Sequence, residues 1–209
     1  MTLGERTRLI LEASVREFIE TGCPVTSAGL YRKYDFGIKP AMIRWELHDL
    51  TMRDFFSQPH PSGGRIPRDR AYRFFAESVL EDLRDEEEKE YGGKKVREIA
   101  ELASPGREKE FIKQFAAELG CLGACFDTDS LEFWQSGLPE LIRGIGIENR
   151  ENMWKVARDF EMIPERLMNE SDWWEEEPEW PRVFIGKSPV TRSADLSVVV
   201  GRAGEGRLL

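Results

Sequence analysis

The sequence predicts an α+β protein that opens with a winged helix-turn-helix, and three observations carry that prediction. Three short amphipathic segments fill the first fifty or so residues, with a tight Asp35-Phe36-Gly37 turn before the third. Two short extended runs follow, separated by the loop Pro59-His60-Pro61-Ser62-Gly63-Gly64. Charge is also divided: residues 1–76 carry 12 Lys/Arg against 9 Asp/Glu, and residues 77–209 carry 18 against 30, so the overall −9 hides a basic front. DNA responds to the local patch, because screening limits the reach of distant charge to about 8 Å at physiological salt. From Arg32 to Arg73 that patch holds 9 basic and 5 acidic residues.

The first helix is predicted over Glu5 to Thr21, with Leu11, Val15, Phe18 and Ile19 at helical spacing and a stop at Gly22 and Pro24. Thr26 or Ser27 caps a second, short helix in which Leu30 and Tyr34 share a face. Pro40 suits the first position of a third helix, and Ile43, Leu47 and Leu50 give it a core stripe. Opposite that stripe lie Ala41, Trp45, His48 and Met52, with Arg44 on the flank. In a helix-turn-helix this is the face that enters the major groove.

Phe55 to Gln58 and Arg65 to Pro67 are the expected strands of a β-hairpin wing. Glycines beside Arg65 are expected to let the backbone approach a phosphate, with the guanidinium adding phosphate or minor-groove contacts. A fourth helix runs from Asp69 through Tyr72, Phe75, Val79 and Leu83 into Asp85-Glu86-Glu87-Glu88 and Gly92-Gly93. The expected division is a DNA-binding domain over 1–84, a charged linker over 85–107 and a second domain over 108–209. In that second domain Glu108 to Leu119 and Glu151 to Asn169, around Pro164, are read as helical. Leu122 to Phe126, Leu131 to Trp134, Arg182 to Ile185 and Leu196 to Gly201 are read as strands.

Arg44 has no carboxylate three or four positions away to pair with, and is expected to form a bidentate pair with guanine. Lys39, at the helix start, more naturally meets a phosphate. Trp45 packs on thymine methyls or sugar, or else against the wing, and His48 is a donor on the DNA face or a solvated surface residue. No catalytic constellation, phosphate-binding glycine motif or metal-ligand spacing is found, so the chain is read as a non-enzyme without cofactor or metal. Cys23, Cys121 and Cys125 lack disulfide spacing and are read as plain thiols. No run is long and apolar enough to span a bilayer and no signal peptide is recognised, so the expected location is the cytoplasm, away from membranes.

The segments Glu20-Thr-Gly-Cys-Pro-Val-Thr-Ser-Ala-Gly-Leu30, Tyr34-Asp-Phe-Gly-Ile-Lys-Pro-Ala-Met-Ile-Arg44 and Gln58-Pro-His-Pro-Ser-Gly-Gly-Arg-Ile-Pro67 together closely resemble the heat-inducible transcription repressor family HrcA. The resemblance covers residues 5–76 in one register. Weaker likeness continues through Ser136 to Ile142, Asn149 to Leu167 and Arg182 to Gly186, pieces similar to the family's GAF-like domain. It implies a bacterial repressor of chaperone operons in the heat-shock response, binding double-stranded DNA at a palindromic operator called CIRCE, with a GroEL-type chaperonin as partner. It also implies a homodimer, since a two-fold operator mirrors a two-fold protein.

The resulting DNA-binding set is Thr26, Ser27, Lys39, Pro40, Ala41, Arg44, Trp45, His48, Ser62, Gly64 and Arg65. The family commonly has Ser where Lys39 stands and Asn where Trp45 stands, which implies a shifted base preference. It also carries a long section with a dimerising insert where this chain has only a few residues between Phe126 and Leu131, and it continues past the apolar stretch at Leu209. The second domain is therefore expected to be a partial GAF-like regulatory domain, from a shortened relative or an incomplete sequence. The competing expectation is a winged-helix protein-interaction module, with Trp173, Trp174 and Trp180 as a docking strip; a third is a small-molecule sensor.

Overall fold

Helix α1 (Glu5–Thr21) ends where Gly22 turns left-handed and its N–H donates to the Phe18 carbonyl at 2.8 Å. This is seen in a computed structural model that describes residues 3–61, 63–85, 106–145, 150–169, 181–202 and 207–208. The chain divides into two units, 1–86 and 87–209.

In the first unit α1 is followed by α2 (Ser27–Lys33), α3 (Pro40–Met52), β1 (Phe56–Ser57), β2 (Ile66–Pro67) and α4 (Asp69–Asp85). Ile10, Leu11, Val15, Leu30, Ile43, Leu47, Leu50 and Phe56 are at most 1% exposed and form one core, with Phe18, Tyr72 and Phe75 packed on it. Ile19 departs from the expected α1 stripe and is 59% exposed. The buried arc runs from Ala13 through Ile10, Ser14 and Leu11 to Val15, which leaves Ile19 beyond its Val15 edge.

Polar pairs fix the helices to one another. Glu46, only 2% exposed, accepts from the Arg6 guanidinium at 2.9 Å and from the Thr7 hydroxyl at 2.9 Å, tying α1 to α3. Lys33 donates to Glu17 and Glu20 at 2.6 Å each, tying α2 to α1. Arg8, Glu12 and the buried Ser78 form a third link, between α1 and α4.

The wing is a short antiparallel pair, Phe56 opposite Pro67 and Ser57 opposite Ile66. A bridge between Val25 and Arg65 extends it, with both N–H···O bonds at 2.8 Å, so the turn before α2 acts as a third strand. Gly64 is required here: a Cβ would lie 2.5 Å from the Pro24 carbonyl oxygen.

The second unit comprises α5 (Glu108–Leu119), β3 (Gly123–Asp127), β4 (Phe133–Ser136), α6 (Leu138–Ile145), α7 (Arg150–Glu161), α8 (Ile163–Asn169), β5 (Arg182–Ile185), β6 (Ser197–Val200) and β7 (Arg207–Leu208). Sequence periodicity did not indicate α6. The segment around Pro164, expected as one or two helices, forms two, α7 and α8, with the proline in the first turn of α8, where its missing N–H has no helical partner to lose. Strands β4, β3 and β7 form an antiparallel sheet in that order, β5 and β6 form another, and an antiparallel bridge from Arg202 to Leu208 connects β7 with the chain just beyond β6. Gly137 joins β4 to α6 at φ 96°, and a Cβ there would overlap the Cys121 carbonyl.

Phe126 packs with Ile163, Leu167, Val190 and Val200 on one face of β3, and Cys125 packs with Phe111 and Ile112 on the other. Asp159, 6% exposed, binds the Arg166 guanidinium and accepts from the backbone N–H groups of Arg192 and Ser193, so it stitches α7 to α8 and to the loop before β6. Among the described residues, no helix is long and apolar enough to cross a membrane.

Candidate nucleic-acid interface

The outer face of α3 follows from its register. With Ile43, Leu47 and Leu50 fully buried, Ala41, Arg44, Trp45, His48 and Met52 are all exposed. Trp45 is 59% exposed, so the wing does not cover it. Lys39 is the exposed N-cap residue, in extended conformation, and half-buried Pro40 is the first residue of the helix. Glu46 escaped the sequence reading, although it falls on the same side as Ile43 and Leu50; the partners that make it tolerable, Arg6 and Thr7, lie some forty residues upstream.

The turn before α2 divides its two candidates. Thr26 is exposed, and its hydroxyl accepts from the Gly29 N–H at 3.1 Å as the helix cap. Ser27 is 7% exposed, which corrects the expectation of a surface hydroxyl: as the first residue of α2 it turns its side chain into the domain.

At the wing the Gln58 side-chain amide donates to the carbonyls of Pro61, at 2.9 Å, and Gly63, at 3.3 Å, and the Gly63 N–H donates to the His60 carbonyl. The loop is thus braced from within. Ser62 lies outside the described residues, as do Trp173, Trp174, Trp180 and the acidic residues Glu86, Glu87 and Glu88. Gly64 meets the backbone of Pro24, so the need for glycine there is satisfied by the protein itself.

Arg65 departs furthest from expectation. It is 7% exposed rather than projecting from the wing, because its bridge to Val25 draws it into the wing's base. Its Nε is buried without a hydrogen-bond partner. Burial, and after it the neighbouring charge of Arg44, pull the guanidinium below the usual arginine value. Among the described residues no carboxylate pairs with Arg44 or Arg65. The base of the wing and the flank of α3 therefore hold two adjacent guanidinium groups with no counter-charge, an arrangement that favours an anion.

By contrast the nearby Arg68 is paired with Asp54, Arg53 with Asp49, and Arg70 lies over the Phe55 ring at 4.5 Å while donating to the Arg53 carbonyl. Among the described residues no group of three or more His, Cys, Asp or Glu is placed to hold a metal ion. Burial pushes the Cys121 thiol up, so it is protonated at neutral pH and a poor nucleophile.

No protein-family model matches the chain. A crystal structure of a hypothetical protein shares the fold, with a TM-score of 0.66 at 16% identity over 99% of this chain and 90% of that one. By sequence the chain is 42% identical over 108 residues to the heat-inducible transcription repressor HrcA of Desulfitobacterium hafniense (strain DSM 10664 / DCB-2), covering 49% of this chain and 30% of that protein. It is 44% identical over 79 residues to the repressor of the same name from Chloroflexus aggregans (strain MD-66 / DSM 9485), covering 38% and 21%. A third, from Desulforamulus reducens (strain ATCC BAA-1160 / DSM 100696 / MI-1), is 39% identical over 107 residues, covering 49% and 31%. The chain thus spans less than a third of the length of these relatives, and the portion that matches is similar to heat-inducible transcription repressors.

Proposed function

We propose that the first domain binds double-stranded DNA, with α3 in the major groove and the wing against the backbone, and that the protein is a cytoplasmic transcriptional repressor of heat-shock genes. The observation that carries this reading is the outer face of α3, where exposed Arg44, Trp45 and His48 stand clear of the core and Arg44, beside the second cation of Arg65, has no carboxylate partner among the described residues. Arg44, Trp45 and His48 face the bases, while Lys39, the Thr26 turn and the wing meet phosphates. In this reading the operator is a CIRCE-type inverted repeat bound by a homodimer, the second domain is a reduced GAF-like regulatory unit, and a GroEL-type chaperonin is the modulating partner; the similarity of the matched portion to heat-inducible transcription repressors supports the repressor role itself.

The test is an anisotropy titration of CIRCE-type against scrambled duplex at fixed salt. Tighter binding of the operator is expected, and equal affinities would remove sequence specificity. Arg44→Ala should cost about 1–3 kcal/mol of discrimination. Lys39→Ala should weaken both duplexes and lower the salt slope by about one. A protein-interaction module is the second reading, favoured by the exposed Met42, Trp45 and Met52 on the same helix (45%, 59% and 73% exposed). It requires no DNA shift and co-purification with a protein partner.

A further inference from the structure

The outer face of α3 is mostly apolar. At about 100° per residue Trp45 lies at its middle, with Ala41 and Met52 beside it and Met42 and His48 toward its edges. Trp45 and Met52 are both more than half exposed. Asp49 also falls on this side, but its carboxylate is paired with Arg53 at 3.5 Å. Cations border the apolar centre: Lys39 at the helix start, Arg44 on the flank and Arg65 beside Arg44. Among the described residues neither Lys39 nor Arg44 is paired with a carboxylate. An apolar protein partner would have to desolvate these charges, whereas duplex DNA meets them with phosphates and offers its base edges to the centre.

The side chains that read adenine are missing from this face. Adenine is recognised in the major groove by a bidentate Asn or Gln amide on N6 and N7. Residues 1–86 contain no Asn and a single Gln, Gln58. Its amide is held inside the wing, where it donates to the carbonyls of Pro61 and Gly63. Thr51, the one hydroxyl residue of α3, donates to the Leu47 carbonyl at 2.7 Å. An A·T pair therefore meets no amide from α3, and what it still offers is the C5 methyl of thymine, which calls for apolar contact. The indole of Trp45 supplies a broad, rigid apolar surface for that methyl.

We propose that Trp45 is the residue that reads A·T pairs, through the methyl group of a thymine lying close to the guanine read by Arg44. This role rests on the DNA binding proposed above and adds the base and the chemical group recognised. Consecutive Cα atoms lie about 3.8 Å apart and base pairs about 3.4 Å, so the two bases fall within about two base pairs of each other.

The experiment uses the full chain to select duplexes from a randomised pool and then replaces each selected thymine, one at a time, by deoxyuridine. That change removes the methyl and keeps every hydrogen-bonding group. Anisotropy at fixed salt gives the affinities. The selected site is expected to hold a thymine within about two base pairs of a guanine, and deoxyuridine there should weaken binding about fourfold, the worth of burying one methyl-sized group. Trp45→Ala should bind the thymine and deoxyuridine duplexes alike at that position, and should unfold at the temperature of the parent because the indole is largely exposed. Arg44→Ala should weaken both duplexes and keep the ratio between them. A selected site without such a thymine, equal binding of every deoxyuridine duplex by the parent, or a ratio that survives Trp45→Ala each overturns the role of Trp45 and leaves DNA binding standing. Enrichment of no sequence removes sequence-specific binding and the role of Trp45 together, and leaves the face to a protein partner.

Discussion

The two units bury their apolar residues to different ends. In the first, α1, α2 and α3 meet in one closed core whose central side chains are at most 1% exposed, and buried polar links such as Glu46 with Arg6 lock the helices at fixed positions. In the second, buried residues fall into separate clusters on the two faces of β3, with a cavity reaching between β3 and β6. A closed core holds the outer face of α3 rigid, which suits the DNA-binding role proposed for Arg44, Trp45 and His48.

The sharpest way to break this contrast is to truncate one buried side chain in each unit. Leu47→Ala should cost about 2–5 kcal/mol and fall toward the upper end, because Leu47 is wholly enclosed. Ile163→Ala should cost less, since Ile163 already borders the cavity and has fewer neighbours to lose. Chemical denaturation, followed by signals local to each unit, measures both; a larger loss at Ile163 would mean that the second core is as closed as the first. Glu46→Ala tests the polar lock and should destabilise the first unit by about 1–3 kcal/mol through the lost buried hydrogen bonds, discounted because Arg6 is half-exposed and is rehydrated. Gly64→Ala should cost a similar amount, about 1–3 kcal/mol, because its methyl meets the Pro24 backbone and the bridge between Val25 and Arg65 must give way. Val25 and Arg65 amides should then exchange faster than in the parent, and unchanged exchange would show that the wing absorbs the methyl elsewhere.

Much of the first unit was legible because its signals are local. The Ile43, Leu47 and Leu50 stripe and Pro40 at the helix start each act over a few residues, and the helix and its exposed face follow. Ile19 misled for the same reason: spacing alone includes it in the stripe, whereas burial depends on how far the neighbouring helices reach. Ser27 and Arg65 were expected to meet DNA, and neither a cap position nor a wing glycine foretells that Ser27 turns inward at the start of α2 or that the bridge to Val25 draws Arg65 into the wing's base. In the second unit α6 was missed and the choice between one helix and two around Pro164 stayed open, since short helices offer too few turns for periodicity to settle.

By itself the amino-acid sequence determined the helical register of the first unit, the side of α3 turned to solvent and the basic front of an acidic chain. These depend on residue order and on charge, which need no knowledge of distant contacts. Only the tertiary structure decided that Arg65 lies buried beside Arg44, that Glu46 is held by Arg6 and Thr7, and that residues of β3 and β6 line one cavity. Each joins segments far apart in the chain, and the energy of such contacts rests on burial and mutual geometry that no local pattern encodes.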